Sequence, residues 1–120
     1  MKTTRALLLQ LPIPQLNYGK QTGNIPLGAA CLKQSASDIP DAEVMMLPES
    51  TASYIGDGAL LEQIRARQPD VVGFSVYCWY LMRSIFLAEK IKEVLPCLIV
   101  FGGPEVTPDI VLVRSAAVDF

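Results

Sequence analysis

The chain has 120 residues, one domain's worth, with 51% apolar and 18% charged residues and a net charge of −2. That balance excludes nucleic acid as the main partner, because phosphate recognition needs a concentrated basic stripe and the ten Lys and Arg are scattered. The apolar runs are far shorter than the roughly 18 residues of a membrane span, and three widely spaced cysteines, Cys31, Cys78 and Cys97, suit neither a disulfide framework nor a metal knuckle.

Lys2 and Arg5 before Ala6-Leu7-Leu8-Leu9 resemble a signal peptide only superficially, because Gln10 and Pro12 cut the run short and no small-x-small cleavage site follows. A cytoplasmic protein with reduced thiols is the expectation. Arg5 to Leu11 reads as a first strand, ended by Pro12-Ile13-Pro14, since proline donates nothing to a ladder. In the loop from Gln15 to Asn24, Gly19-Lys20-Gln21-Thr22-Gly23 lacks the spacing of a phosphate-binding P-loop. Pro26 suits the first turn of a helix running to about Ala36. Gly28 weakens that helix, and close approach to the sheet or to a ligand would explain it, as would tolerated local instability.

Asp38 to Asp41 turns the chain, Glu43 to Leu47 supplies a second strand, and Pro48 to Gly58 is a loop. Ala59 to Gln68 reads as a helix with Leu60, Leu61 and Ile64 inward, stopped by Pro69. Asp70 to Ser75 is a third strand. Tyr80 to Leu95 is the longest helix, with Leu81, Ile85, Leu87, Ala88, Ile91 and Leu95 on one side. Pro96 ends it, and Leu98-Ile99-Val100-Phe101 follows as a strand expected to be buried on both faces. Pro108 to Ser115 suggests a fourth helix, and Val118-Asp119-Phe120 the start of a fifth strand, truncated at Phe120. Strict β-α alternation predicts an α/β, flavodoxin-like (Rossmann-like) doubly wound parallel sheet with strand order 2-1-3-4-5. An unpaired edge beside the fourth strand would favour self-association.

Ligands of such sheets bind beyond the strand carboxyl ends. There the sequence places Ser75, Gly102, Gly103 and Thr107, flanked by Tyr77, Trp79 and Tyr80. The Gly102-Gly103 pair reads equally as a tight turn or as a loop that lets backbone approach a bulky ligand, and Ser75 equally as a backbone-satisfying hydroxyl or a ligand contact. The aromatics read first as core or interface. With no histidine in the chain, Ser-His and Cys-His nucleophile pairs and histidine metal ligands are excluded. The set suits binding more than bond-breaking.

Ser75-Val76-Tyr77 followed by Gly102-Gly103 resembles the Ser-x-Leu and Gly-Gly portions of cobalamin-binding domains, with a slightly short gap and Tyr77 in place of Leu. Ile25 to Ala30, Pro69 to Ser75 and Phe101 to Thr107, in that order, look like the N-terminal B12-binding domain of cobalamin-dependent radical SAM enzymes. The Asp-x-His-x-x-Gly element of methionine-synthase-like proteins and the radical SAM Cys-x-x-x-Cys-x-x-Cys motif have no counterpart in the chain. The resemblance implies a module that holds cobalamin base-off and His-off through Gly28, Ser75, Tyr77, Gly102, Gly103, Pro104 and Thr107. Ser75 would contact the benzimidazole and the glycines would let the nucleotide tail lie against backbone. It also implies a downstream catalytic domain in which S-adenosylmethionine and a [4Fe-4S] cluster act, often for methyl transfer, so that this chain alone would catalyse nothing. Two other readings stand beside it: a degenerate α/β interaction domain that binds no cofactor, and a small nucleotide- or flavin-binding domain.

Overall fold

The computed structural model describes residues 2–12, 26–48, 51, 55–107 and 115–120. Four parallel strands, β1 (Thr4–Leu9), β2 (Ala42–Met46), β3 (Val71–Ser75) and β4 (Leu98–Gly102), form one sheet in the order β2-β1-β3-β4. Among the described residues the helices α1 (Leu27–Ser35), α2 (Asp57–Arg67) and α3 (Leu81–Val94) alternate with them. This is the expected flavodoxin-like α/β arrangement. Phe120 extends it: its N–H donates to the Ile99 carbonyl at 3.2 Å and its carbonyl accepts the Phe101 N–H at 2.8 Å. That pattern pairs Phe120 with Val100 in parallel, in the position of a fifth strand beside β4. The loop expected from Gln15 to Asn24, the middle of the Pro48–Gly58 loop and the 108–114 part of the expected fourth helix lie outside the described residues. Ser115, which closed that expected helix, is not helical.

The elements end where the sequence forbids continuation. Gln68 takes a left-handed conformation (φ 47°) after α2, its side-chain amide donating to the Arg65 carbonyl at 2.8 Å, and Pro69 follows. Helix α2 starts two residues before the expected position because Asp57 joins its first turn, where a carboxylate complements the helix dipole. Its carboxylate also accepts from Arg83 Nε at 2.7 Å. Helix α3 is preceded by a short 3-10 turn, Cys78–Tyr80, and gives way to Leu95 and Pro96.

One face of the sheet carries the core. Leu7 and Leu9 from β1, Val72 and Phe74 from β3, and Ile99 and Phe101 from β4 meet Leu60 and Ile64 of α2 and Leu81, Leu87, Ala88 and Ile91 of α3, all buried. Each of these side chains except Ala88 contributes on the order of 1.5–3 kcal/mol by leaving water. The opposite face is covered far less. There Leu98 is 46% exposed and Val100 half-buried, so the expectation of a fourth strand buried on both faces is corrected. Helix α1 lies nearer β2 than β4, and only Ala29 of its nine residues is buried. Beyond it, β3 and β4 are left without a described helix over them.

The amino-terminal edge is tied by a carboxylate. Asp70 Oδ2 accepts the Arg5 N–H at 2.9 Å, Oδ1 accepts Lys2 Nζ at 2.8 Å, and the Asp70 backbone bonds Arg5 and Leu98. One residue before β3 therefore joins β1, β3 and β4. Asp119 repeats the device beside β4, accepting from Lys92 Nζ at 2.6 Å and the Ile99 N–H at 2.8 Å. The lysine and the backbone N–H hold each carboxyl below its ordinary value.

Candidate functional site

The half-covered face carries a groove of about 340 Å³ that runs along β3 from Val71 to Ser75 and reaches the carboxyl rim, within the size range of small-molecule sites. The strand register builds its floor. Leu8, Gly73 and Val100 lie side by side across β1, β3 and β4, and Ser75 sits beside Gly102 two residues further on. The Leu8 Cδ2 stands 2.8 Å from where a Gly73 Cβ would be, so Leu8 fills the space that this glycine leaves. Gly28, Ala29 and Leu32 of α1 form one wall, and Tyr77 and Gly103 belong to the carboxyl rim. The lining is mainly apolar, with the Ser75 hydroxyl as its polar side chain besides the Tyr77 phenol. That hydroxyl makes no hydrogen bond among the described residues.

Five of the seven residues assigned to cofactor binding meet at this groove: Gly28, Ser75, Tyr77, Gly102 and Gly103. Pro104 and Thr107 are exposed in and beyond the turn and do not line it. The residues that sequence reading missed, chiefly Leu8, Val71, Gly73 and Val100, are ordinary strand residues from three segments. Only the register unites them.

Besides Gly73 of the floor, the three other glycines of the groove differ in why they are glycine. Gly103 has φ +109°, and a Cβ there would meet the Val76 carbonyl oxygen at 2.6 Å and its nitrogen at 2.9 Å. Its own turn therefore demands glycine. Gly102 and Gly28 have ordinary φ and nothing within 4 Å of a built Cβ. Gly28 does not serve close helix-sheet packing, which removes one of the explanations offered by the sequence. The adjacent pair thus resolves into one turn glycine, Gly103, and one open glycine, Gly102, facing the groove.

The rim is aromatic. Tyr77 and Trp79 stack with centroids 5.0 Å apart and planes 6° from parallel, and Tyr80 meets both edge-on. Tyr80 is buried, while Trp79 is 46% exposed. The three cysteines are free. Burial pushes the Cys97 thiol up, which makes it a packing residue. Among the described residues no group of three His, Cys, Asp or Glu side chains could hold a metal ion, and no helix is long and apolar enough to cross a membrane. Comparison of the chain with protein-family models, with curated proteins and with solved structures finds no match.

Proposed function

We propose that the chain is a cobalamin-binding module whose groove takes the nucleotide tail of the cofactor. The observation that carries this reading is the pair of glycines, Gly28 and Gly102, on opposite sides of the groove, neither required by backbone conformation or packing. Their missing side chains leave a cradle that a Cβ would begin to fill. Ser75 supplies a hydroxyl that has no hydrogen bond among the described residues and could bond a ring nitrogen or ribose oxygen, and the apolar floor suits a flat aromatic base. In this reading the groove would take the tail and the corrin would remain outside it. Cobalamin bound there would supply an alkyl- or methyl-carrying cobalt centre to a partner, by resemblance a radical SAM domain with S-adenosylmethionine and a [4Fe-4S] cluster. The chain has no histidine and so offers cobalt no imidazole. With the benzimidazole held in the groove, the cofactor would be base-off and His-off.

Titration of the protein with hydroxocobalamin, followed by absorbance and by electron paramagnetic resonance after reduction to cob(II)alamin, tests this. Saturable binding with a base-off spectrum and no nitrogen superhyperfine splitting is expected. A nitrogen triplet would refute the base-off arrangement. No binding would refute the cofactor reading, leaving the interaction-domain reading. Saturation by a flavin or nucleotide in its place would favour the small nucleotide-binding domain.

A further inference from the structure

The groove's rim is held by a residue that does not line it. The Ser75 carbonyl lies beyond the last β1–β3 pair, Leu9 with Phe74, and accepts the Tyr80 hydroxyl at 2.9 Å. Tyr80 is 3% exposed. Its burial, with a smaller contribution from Tyr77, raises the phenol well above the ordinary value, so it remains a donor throughout the physiological range. The Tyr80 carbonyl in turn accepts the Ser84 hydroxyl at 2.9 Å, which ties the residue to the first turn of α3. Its ring packs edge-to-face with Tyr77 and Trp79, with centroids 5.8 Å and 5.9 Å apart. Tyr80 thus contacts both parts of the carboxyl rim, the end of β3 through an oxygen and the aromatic pair through its ring.

From this we infer that Tyr80 is a positioning residue for the groove, setting Ser75 through its carbonyl and Tyr77 through its ring. The inference rests on the groove being a ligand site. It differs from plain core filling in what the hydroxyl does. Core filling needs the ring volume, and the hydroxyl then satisfies one carbonyl that solvent at the strand end could satisfy equally. Positioning needs the hydroxyl itself, because it fixes where Ser75 presents its side chain.

Tyr80→Phe keeps the ring and removes the oxygen. Ser84→Ala is the matched control, since it removes the neighbouring buried hydrogen bond without touching Ser75 or Tyr77. The protein has one tryptophan, Trp79, so its emission and near-ultraviolet dichroism report on the rim. We expect Tyr80→Phe to weaken hydroxocobalamin binding roughly five- to thirtyfold and to shift the Trp79 signal in the free protein. Ser84→Ala should lower the melting temperature comparably, with affinity within about twofold of wild type and an unchanged Trp79 signal. Unchanged affinity and Trp79 signal in Tyr80→Phe would overturn the inference, as would equal losses in the two variants. If the wild-type protein binds no cobalamin, the cofactor reading fails separately. The Trp79 signal of Tyr80→Phe then decides the positioning: a shift supports it and an unchanged signal refutes it.

Discussion

Replacing each member of the Gly102-Gly103 pair separates the groove from the fold. In Gly103→Ala the new Cβ is placed at φ +109° and within 3 Å of two Val76 backbone atoms, which cannot move aside as a side-chain end can. The conformation alone costs about 1–3 kcal/mol, and relief of the contacts must displace the turn that carries the Val76 N–H to Gly102 carbonyl bond. For a chain of this size each kcal/mol lowers the melting temperature by roughly 4 °C, so a fall of about 4–12 °C or more is expected. Gly102→Val meets nothing and gains strand propensity, so its stability should stay within about 1 kcal/mol of wild type. Its side chain enters the groove, where overpacking against a ligand costs about 1–3 kcal/mol, or roughly a five- to 150-fold loss of cobalamin affinity. Calorimetric melting and absorbance titration of the two variants read both quantities. Full affinity in Gly102→Val would remove the groove from binding. A stability loss there equal to that of Gly103→Ala would refute the distinction between the two glycines.

Other outcomes follow from the same geometry. Gly28→Ala should stabilise α1 by about 1 kcal/mol, because no atom lies near its Cβ and glycine is costly inside a helix; melting would show a rise of roughly 4 °C, and a fall would mean the position is packed. Asp70 and Asp119 have folded pKa values below the unfolded value of about 4. Their stabilisation is therefore complete above that pH and is lost as pH falls through the lower folded values. Asp70→Asn and Asp119→Asn should flatten the acid side of the stability profile, and an acid limb identical to wild type would count against the two carboxylate ties. Thiol titration of the native protein should find Cys31 and Cys78 at once and Cys97 only after denaturation; three fast thiols would contradict the buried placement of Cys97.

The alternation of elements was legible because Pro12, Pro69 and Pro96 punctuate it, and a proline acts through its own φ and missing donor wherever the chain folds. What local pattern cannot carry is coverage. Leu98-Ile99-Val100-Phe101 has the same composition whether one face or two are buried, and the answer depends on how far α1 reaches across a sheet whose strands lie up to ninety residues apart. The same limit hid the groove floor, since Leu8, Gly73 and Val100 become neighbours only through the β1–β3–β4 register. Gly102 and Gly103 are one letter repeated, yet φ and the nearby Val76 backbone give them opposite reasons. Ser84 is a polar residue of α3 that the helical pattern did not place, and it is fully buried with its hydroxyl bonded back to the carbonyl four residues earlier.

The two edges of the sheet divide the work of holding the fold and leaving a site. Charge-assisted bonds concentrate at the amino-terminal edge: Asp70 with Lys2 and the Arg5 N–H, Asp119 with Lys92 and the Ile99 N–H, and Lys92 also with the Cys97 carbonyl. At the carboxyl edge one charged pair, Asp57 with Arg83, joins the starts of α2 and α3, and the described fastenings of β3 and β4 are uncharged: the Tyr80 hydroxyl on Ser75, the Val76–Gly102 backbone bond and the turn at Gly103. Because a Cβ at Gly28 or Gly102 meets nothing within 4 Å, substitutions there can change the shape of the groove without loosening the strands that form it.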